Sequence, residues 1–439
     1  MLGLLLACAC PDYGDMRVED PLGIASAEQV TAAERAIADF AAWTTVEGVC
    51  VPSVDFVEDV GTEGADGAYV RPRYPIEVEP LPAHHVYDLV LHELCHAWDT
   101  DQGRPSEGLP DLFPTTGHDV ALAPDAYHQA GESFAEACEG GIATARMEAL
   151  LAERCDVDLP GAWVSEHVYD ADVEAGVDDA PWEVTRETVD LSAAVVGYAI
   201  QAGTPRGLWG PSYGGVSLWG PDGYEIESWH VDAGTTLTWW TFGGGTSALL
   251  PNFTATEITL YAHDTEWASL ATLPTTYGEL WVHAASTPDR AWLFDAGDGG
   301  TTAWEIALDG SGVVREEEVG DWTGRAAAVG DEVWLLGDGW LLTRKDDGWT
   351  PTMRVPNAAT ASFAPLPDGA FVLAVRAGPD DAPIRTVARF DGARWSLPAD
   401  PCGADALATP FGVTAAGERV WVVEADGDED VRASALSWD

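Results

Sequence analysis

From residue 222 onward the chain repeats itself. Short apolar stretches run into an acidic turn, often with an aromatic residue after it: "SLWGPDGYEI", "TLYAHDTEWAS", "EIALDGSGVV", "LLTRKDDGWTP", "VARFDGARWS" and the terminal "SALSWD". The turn aspartates are Asp222, Asp264, Asp309, Asp347, Asp391 and Asp439, so the gaps are, by subtraction, 42, 45, 38, 44 and 48 residues. A period of about 40–45 residues in all-β sequence is the length of one four-stranded propeller blade. Five intervals imply five blades, or six if the residues before Asp222 complete another. The last unit stops at its turn, so a strand from upstream is expected to close the ring. A second marker lies between the turns, in "GELWVHA", "DEVWLLG", "GAFVLAV" and "ERVWVVE". Each reads as a buried inner strand, with its Trp or Phe in the core.

Before about residue 205 the periodicity is different. "SAEQVTAAERAIADFAAW" has Val30, Ala33, Ile37 and Phe40 on one helical face, and Ser26 can cap it with Gln29 as partner. Ile76 and Val78 alternate with Glu77 and Glu79 in "YPIEVEPL", as in a strand. A second helix is expected from His84 to Thr100, ended by Gly103 and Pro105. A third begins near Gly131 in "GESFAEACEGGIATARMEALLAE", and a fourth is expected in "ETVDLSAAVVGYAIQA". The expected division is a leader and linker over 1–25, an α+β domain over 26–205 and a β-propeller over 206–439.

Charge narrows the partners. The 439 residues carry 74 acidic and 21 basic side chains, a formal net charge of -53. Such a surface repels phosphate backbones, which argues against nucleic-acid binding. It suits a secreted or salt-exposed protein. The chain opens "MLGLLLACAC", where Leu2 to Ala7 are apolar and Cys8 follows a small residue. This is similar to the end of a bacterial lipoprotein signal, whose cysteine is lipidated, although the positive n-region is missing. Export is the expectation, either secreted or held at the bacterial surface or periplasm through Cys8. The run is too short to span a bilayer, so membrane contact would be through that anchor alone. Cys50, Cys95, Cys138, Cys155 and Cys402 remain, an odd count that fixes no disulfide framework. Cys138 and Cys155 flank one helical stretch and are candidates to pair.

The chemistry concentrates in "LHELCHAWD", Leu91 to Asp99. On a helix each residue turns about 100°, so His92 and His96 project within about 40° of each other and both imidazoles can reach one ion. Glu93 lies beside them as a general base. A bound zinc lowers the pKa of water, and a neighbouring carboxylate takes the proton. Leu91, Leu94, Cys95, Ala97 and Trp98 are uncharged, as on a buried helix where two histidines and a glutamate are costly without a partner. Cys95 reads as core, and His84 and His85 as exposed helix caps. A catalytic zinc needs a third protein ligand. Six residues beyond His96 stands Gln102, not histidine. His118 and His128 lie in the following Pro- and Gly-rich loop as competing ligands. The next helix offers Glu132 and Glu136 in "GESFAEA", one turn apart.

HExxH followed by such a glutamate helix resembles the gluzincin class of zinc metallopeptidases. The "HExxHxxD…ExFAE" flavour is nearest the lethal-factor-like branch. The resemblance covers roughly residues 26–205. It implies a zincin-like fold, one zinc per chain held by His92, His96 and Glu132, Glu93 as catalytic base, and Glu136 orienting a ligand imidazole. Tyr127 and Tyr198 are candidate oxyanion stabilisers. "SAAVVGYAI" resembles a late helix of such domains. The expectation is therefore an exported metallopeptidase acting on a peptide or protein substrate, with "YPIEVEPL" as the edge strand that pairs with it. The propeller would bind or position an unknown ligand. The alternative is a non-catalytic cell-surface binding protein whose metal site is structural or decayed.

Overall fold

The computed structural model describes the chain except residues 1–12, 61–66, 70–73, 114–125, 191–201, 231–243, 276–281 and 355–362, and other stretches of one to five residues. Two compact units result, Met1–Val177 and Asp178–Asp439.

The first unit is α+β. Its sheet contains β1 (Arg17–Glu19), β2 (Ser53–Phe56), β3 (Gly67–Tyr69) and β4 (Ile76–Val78) in the order β1-β2-β4-β3. β1, β2 and β4 run parallel and β3 antiparallel to β4. The strand of "YPIEVEPL" is therefore internal, because β2 and β3 pair with its two sides. Among the described residues the edge beyond it is β3. The helix α1 (Ala27–Trp43) starts at Ser26, whose hydroxyl accepts from Gln29 N while Gln29 Oε1 accepts from Ser26 N. α1 packs on α2 (Ala83–Asp101), which also contacts β3 and β4. α2 ends where Gly103 turns to φ +83°. The backbone N and Oγ of Ser106 then donate to the buried Asp99 carboxylate.

The expected third helix is two. α3 spans Ala126–Glu139 and α4 spans Gly141–Cys155, broken where Gly141 adopts φ +79°. A Cβ at Gly141 would lie 3.2 Å from the Trp43 ring, so the break is built on glycine twice over. α5 (Pro160–His167) follows, its first turn capped by Glu148 of α4 accepting from Gly161 N at 2.9 Å. His84 is buried rather than an exposed cap, and α2 begins at Pro82 without a side-chain cap. Burial pushes the His84 imidazole down to about 3, with the charge of His85 adding to it.

The second unit is all β. It begins with β5 (Val177–Trp182) and β6 (Val184–Asp190). β6 takes in the start of the expected fourth helix, Glu187 to Asp190; residues 191–201 lie outside the described residues. The β-branched Val184, Thr185, Thr188 and Val189 suit an extended strand better than a helix. The meanders follow in chain order. The first is β7 (Ala202–Thr204), β8 (Gly207–Ser212), β9 (Gly215–Trp219) and β10 (Glu225–His230). After the short β11 (Gly244–Gly245) comes a second, β12 (Ala248–Phe253), β13 (Glu257–His263) and β14 (Trp267–Pro274). The third is β15 (Val282–Ser286), β16 (Arg290–Gly297), β17 (Gly300–Ala307) and β18 (Gly312–Gly320). The fourth is β19 (Arg325–Val329), β20 (Glu332–Gly337), β21 (Trp340–Lys345) and β22 (Gly348–Arg354). The fifth is β23 (Phe363–Pro365), β24 (Phe371–Ala377), β25 (Ile384–Phe390) and β26 (Trp395–Pro398). The last is β27 (Thr409–Ala416), β28 (Arg419–Asp426) and β29 (Asp430–Trp438).

The first strands of these meanders contact one another in a closed cycle, β7–β12–β15–β19–β23–β27 and back to β7. That is a six-bladed propeller. β11 touches five of the six, so Gly244–Gly245 lies at the axis. Alternation along the strands builds the interfaces. Ala248 and Leu250 pack on Trp209, Val216 and Leu218 of the first blade, while Leu249 packs with Val282 and Leu293 of the third. The fifth and sixth blades meet through Val372, Val387, Val420 and Val422.

Two strands from upstream complete the outer edges. β6 pairs antiparallel with β29, from Trp438↔Val184 to Arg432↔Asp190, and β5 joins the sheet of β23–β26. For this reason the boundary falls at Val177 and not near 205. The stretches of the second sequence marker occupy two different strand positions. "DEVWLLG", "GAFVLAV" and "ERVWVVE" form β20, β24 and β28, second from the axis, whereas "GELWVHA" leads into the innermost β15. Its second-strand counterpart is β16. Of the turn aspartates, Asp309 lies between β17 and β18; the others lie outside the described residues.

Candidate metal centre

α2 sends two stripes in different directions. Val86, Val90, Leu94 and Ala97, spaced by three or four residues, are fully buried. His92 and His96 form a neighbouring stripe with side chains 15% and 17% exposed, which faces α3. On α3, Phe134, Ala135 and Cys138 are buried. Phe134 stacks on Trp98 with ring centroids 5.8 Å apart. Cys138 is bonded to Cys95 of α2, Cα to Cα 6.1 Å. This replaces the expected Cys138–Cys155 pair; Cys155, Cys50 and Cys402 are also half-cystines.

With the two helices clamped, Glu132 meets both histidines. Its Oε2 lies 3.2 Å from His92 Nε2 and 3.2 Å from His96 Nε2, and the two Nε2 atoms are 3.1 Å apart. Among the described residues this is the one cluster of three or more His, Cys, Asp or Glu with donor atoms close enough to share an ion. The spacing can be tested against chemistry. Ligand atoms at 2.0–2.1 Å from a tetrahedral zinc stand about 3.3–3.4 Å apart. The observed triangle is within a few tenths of an ångström of that edge, so the donors fit zinc. Two imidazole nitrogens facing each other at 3.1 Å also need a cation or a shared proton between their lone pairs.

The far side of His92 is held as well. Its Nδ1–H donates to Glu139 Oε2 at 2.8 Å, which leaves the Nε2 lone pair for the cluster. Burial works against charge on this imidazole, but the hydrogen bonds to Glu132 and Glu139 and the charges of Glu139 and Glu93 outweigh it, raising the pKa well above its ordinary value. Burial likewise opposes charge on Glu132, yet its hydrogen bonds to His92 and His96 and their charges hold the carboxyl well below the usual range. The carboxylates of Glu132 and Glu139 thus favour positive charge at His92, a place a divalent cation would take.

Glu93 is buried at 6% exposure on α2 between the two histidines. Glu136 is exposed, and the carboxylate on His92 Nδ1 is that of Glu139. The helical phase explains the difference: relative to Glu132, position 136 is rotated by about 40° but position 139 by only about 20°. An acidic residue two full turns after the ligand was the available signal. Tyr127 and His128 fall on the first turn of α3, their side chains outside the described residues. His118, Tyr198 and Cys8 lie outside the described residues altogether. No helix among the described residues is long and apolar enough to cross a membrane.

No protein-family model matches the chain, and no curated protein matches it in sequence. Likenesses to solved structures are remote. A protein of unknown function from Bacteroides thetaiotaomicron aligns at 12% identity and TM-score 0.37, covering 58% of this chain and 77% of its own. The WD40 domain of Pan2 from Neurospora crassa aligns at 8% identity and TM-score 0.38, covering 59% and 97%. TolB from Acinetobacter baumannii aligns at 10% identity and TM-score 0.32, covering 55% and 65%. At such scores these likenesses say nothing about what the chain does. The propeller stands on its own strand pairing.

Proposed function

We propose that the first unit is a zinc-dependent peptidase of the gluzincin kind, exported from the cell, and that the propeller binds or positions its substrate. The observation that carries this is the convergence of His92 Nε2, His96 Nε2 and Glu132 Oε2 within 3.2 Å of one another on an HExxH helix. These three atoms would hold the metal. Zinc, when bound, supplies a Lewis acid and makes water a stronger acid. The rest of the chemistry belongs to the chain. Glu93 accepts a proton from water on its carboxylate and later hands it to the leaving amine. Glu139 keeps His92 in one tautomer and one orientation. The edge strand β3, packed on α2, offers backbone groups to an extended peptide. The buried Cys95–Cys138 disulfide fits an oxidising compartment outside the cytoplasm.

The test is metal content and cleavage of a peptide library by the same preparation, with and without chelator. One zinc per chain and chelator-sensitive cleavage are expected. Zinc without cleavage would leave a binding protein with a structural site; neither would remove the reading.

A further inference from the structure

The three donors of the metal cluster belong to two helices that are far apart in the chain. Glu132 lies 40 residues from His92 and 36 from His96. Without a cross-link, an ion that recruits Glu132 must also close that loop, and loop closure carries an entropic cost that rises with length. The Cys95–Cys138 bond spans 43 residues and closes nearly the same loop beforehand. Its position is specific. Cys95 immediately precedes His96, and Cys138 immediately precedes Glu139, the acid on His92 Nδ1. Both cysteines are fully buried.

We propose that the Cys95–Cys138 disulfide is the positioning device for Glu132 and Glu139, so that the three-ligand site is complete only in the oxidised protein. This rests on reading His92, His96 and Glu132 as a metal site. Cys95 and Cys138 act through the ligands and are not ligands themselves. Reduction by a water-soluble phosphine converts the disulfide to two thiols, the phosphine taking oxygen from water as its oxide. α3 then holds to α2 only through packing and the contacts of His92 and His96 with Glu132 and Glu139, and Glu132 becomes a weaker third donor.

The experiment uses full-length protein in three forms: oxidised parent, phosphine-reduced parent, and Cys95→Ala/Cys138→Ala. The double variant isolates this bond, because reduction also opens the other disulfides. Zinc affinity is measured by competition with a chelator, the visible spectrum is recorded with cobalt(II) in place of zinc, and helical circular dichroism checks the fold. The expected result is a zinc affinity at least about tenfold weaker in both altered forms, within the ordinary range of coupling between two sites. A weakened cobalt spectrum should accompany it, with helix content retained, and reoxidation of the reduced parent should restore both. Affinity within twofold of the parent with an unchanged cobalt spectrum would overturn the inference. So would a thiolate-to-cobalt band in the reduced protein, which would make the cysteines ligands. If the oxidised parent binds neither metal, the site reading fails and this inference with it.

Should the double variant not fold, reciprocity gives a second measurement. Zinc must then make the bond harder to reduce by the same factor by which the bond strengthens zinc binding. In a dithiol redox buffer with free zinc fixed by a metal buffer, the midpoint should move to more reducing ratios by at least about tenfold. No movement would contradict the proposal.

Discussion

His92 Nδ1 donates to Glu139 Oε2 at 2.8 Å, and the same ring presents Nε2 to Glu132 Oε2 at 3.2 Å, so one imidazole is gripped on both sides by α3. A ring held this way has one tautomer and one orientation, which lowers the ordering cost of a metal ligand.

Glu139→Gln should therefore weaken zinc binding by about 10–100-fold, the usual loss when such a partner is altered. Glu136→Gln, at an exposed position, should change it by less than threefold. Chelator competition on the two variants side by side checks this. Equal losses, or a larger loss at 136, would return the orienting role to Glu136.

Stability should carry a pH signature from Glu148. Burial lifts its carboxyl to about 7, against 4.5 for the ordinary group, despite the hydrogen bond from Gly161 N. The folded protein thus holds this proton more tightly than the unfolded chain does. The contribution to stability is full below about 4.5 and is lost as pH rises through about 7, an effect of at most about 3 kcal/mol. Glu148→Gln keeps an acceptor for Gly161 and has no proton to lose. The variant should match the parent near pH 4.5 and melt above it at pH 8; a constant difference across that window would refute the assignment. Gly161→Ala should destabilise at every pH, because its Cβ would sit 2.5 Å from Glu148 Oε2.

The propeller should close only with its upstream strands. A fragment from Asp178 contains β6 and all but the first residue of β5, whereas one from Ala202 keeps β7 but lacks both and leaves β29 and β26 without these outer partners. The longer fragment should unfold cooperatively with a β-type circular dichroism spectrum. The shorter should melt lower or aggregate through its open edges. Equal melting temperatures would show that β5 and β6 are dispensable.

What the sequence disclosed follows from the range of the forces involved. Local signals read well: the Ser26–Gln29 capping box opens α1 where the pattern places it, and the spacing of His92 and His96 puts both on one face of α2. A repeat of about 40–45 residues is legible because each blade is a local meander of that length. Of the non-local pairings, the incomplete last unit signalled only that a strand from upstream closes it, not which one. β6 finds β29 across some 240 residues, and nothing in "VTRETVD" names its partner. Cys95 and Cys138 sit beside the ligand residues, but their pairing depends on how α3 lies on α2. The same helix crossing decides that Glu139, and not Glu136, reaches His92. The Gly140–Gly141 break was visible as two glycines, yet helical periodicity on both sides concealed that α3 ends there.

One substitution separates the role of Glu93 from that of the ligands. Glu93→Gln keeps size and shape and leaves His92, His96 and Glu132 unchanged. Zinc content and peptide cleavage are measured on parent and variant prepared together. The prediction is equal zinc, with cleavage reduced by about 10²–10⁴-fold, the range for loss of a general acid–base group. A parent that cleaves and a zinc-loaded Glu93→Gln variant that cleaves equally well would contradict it.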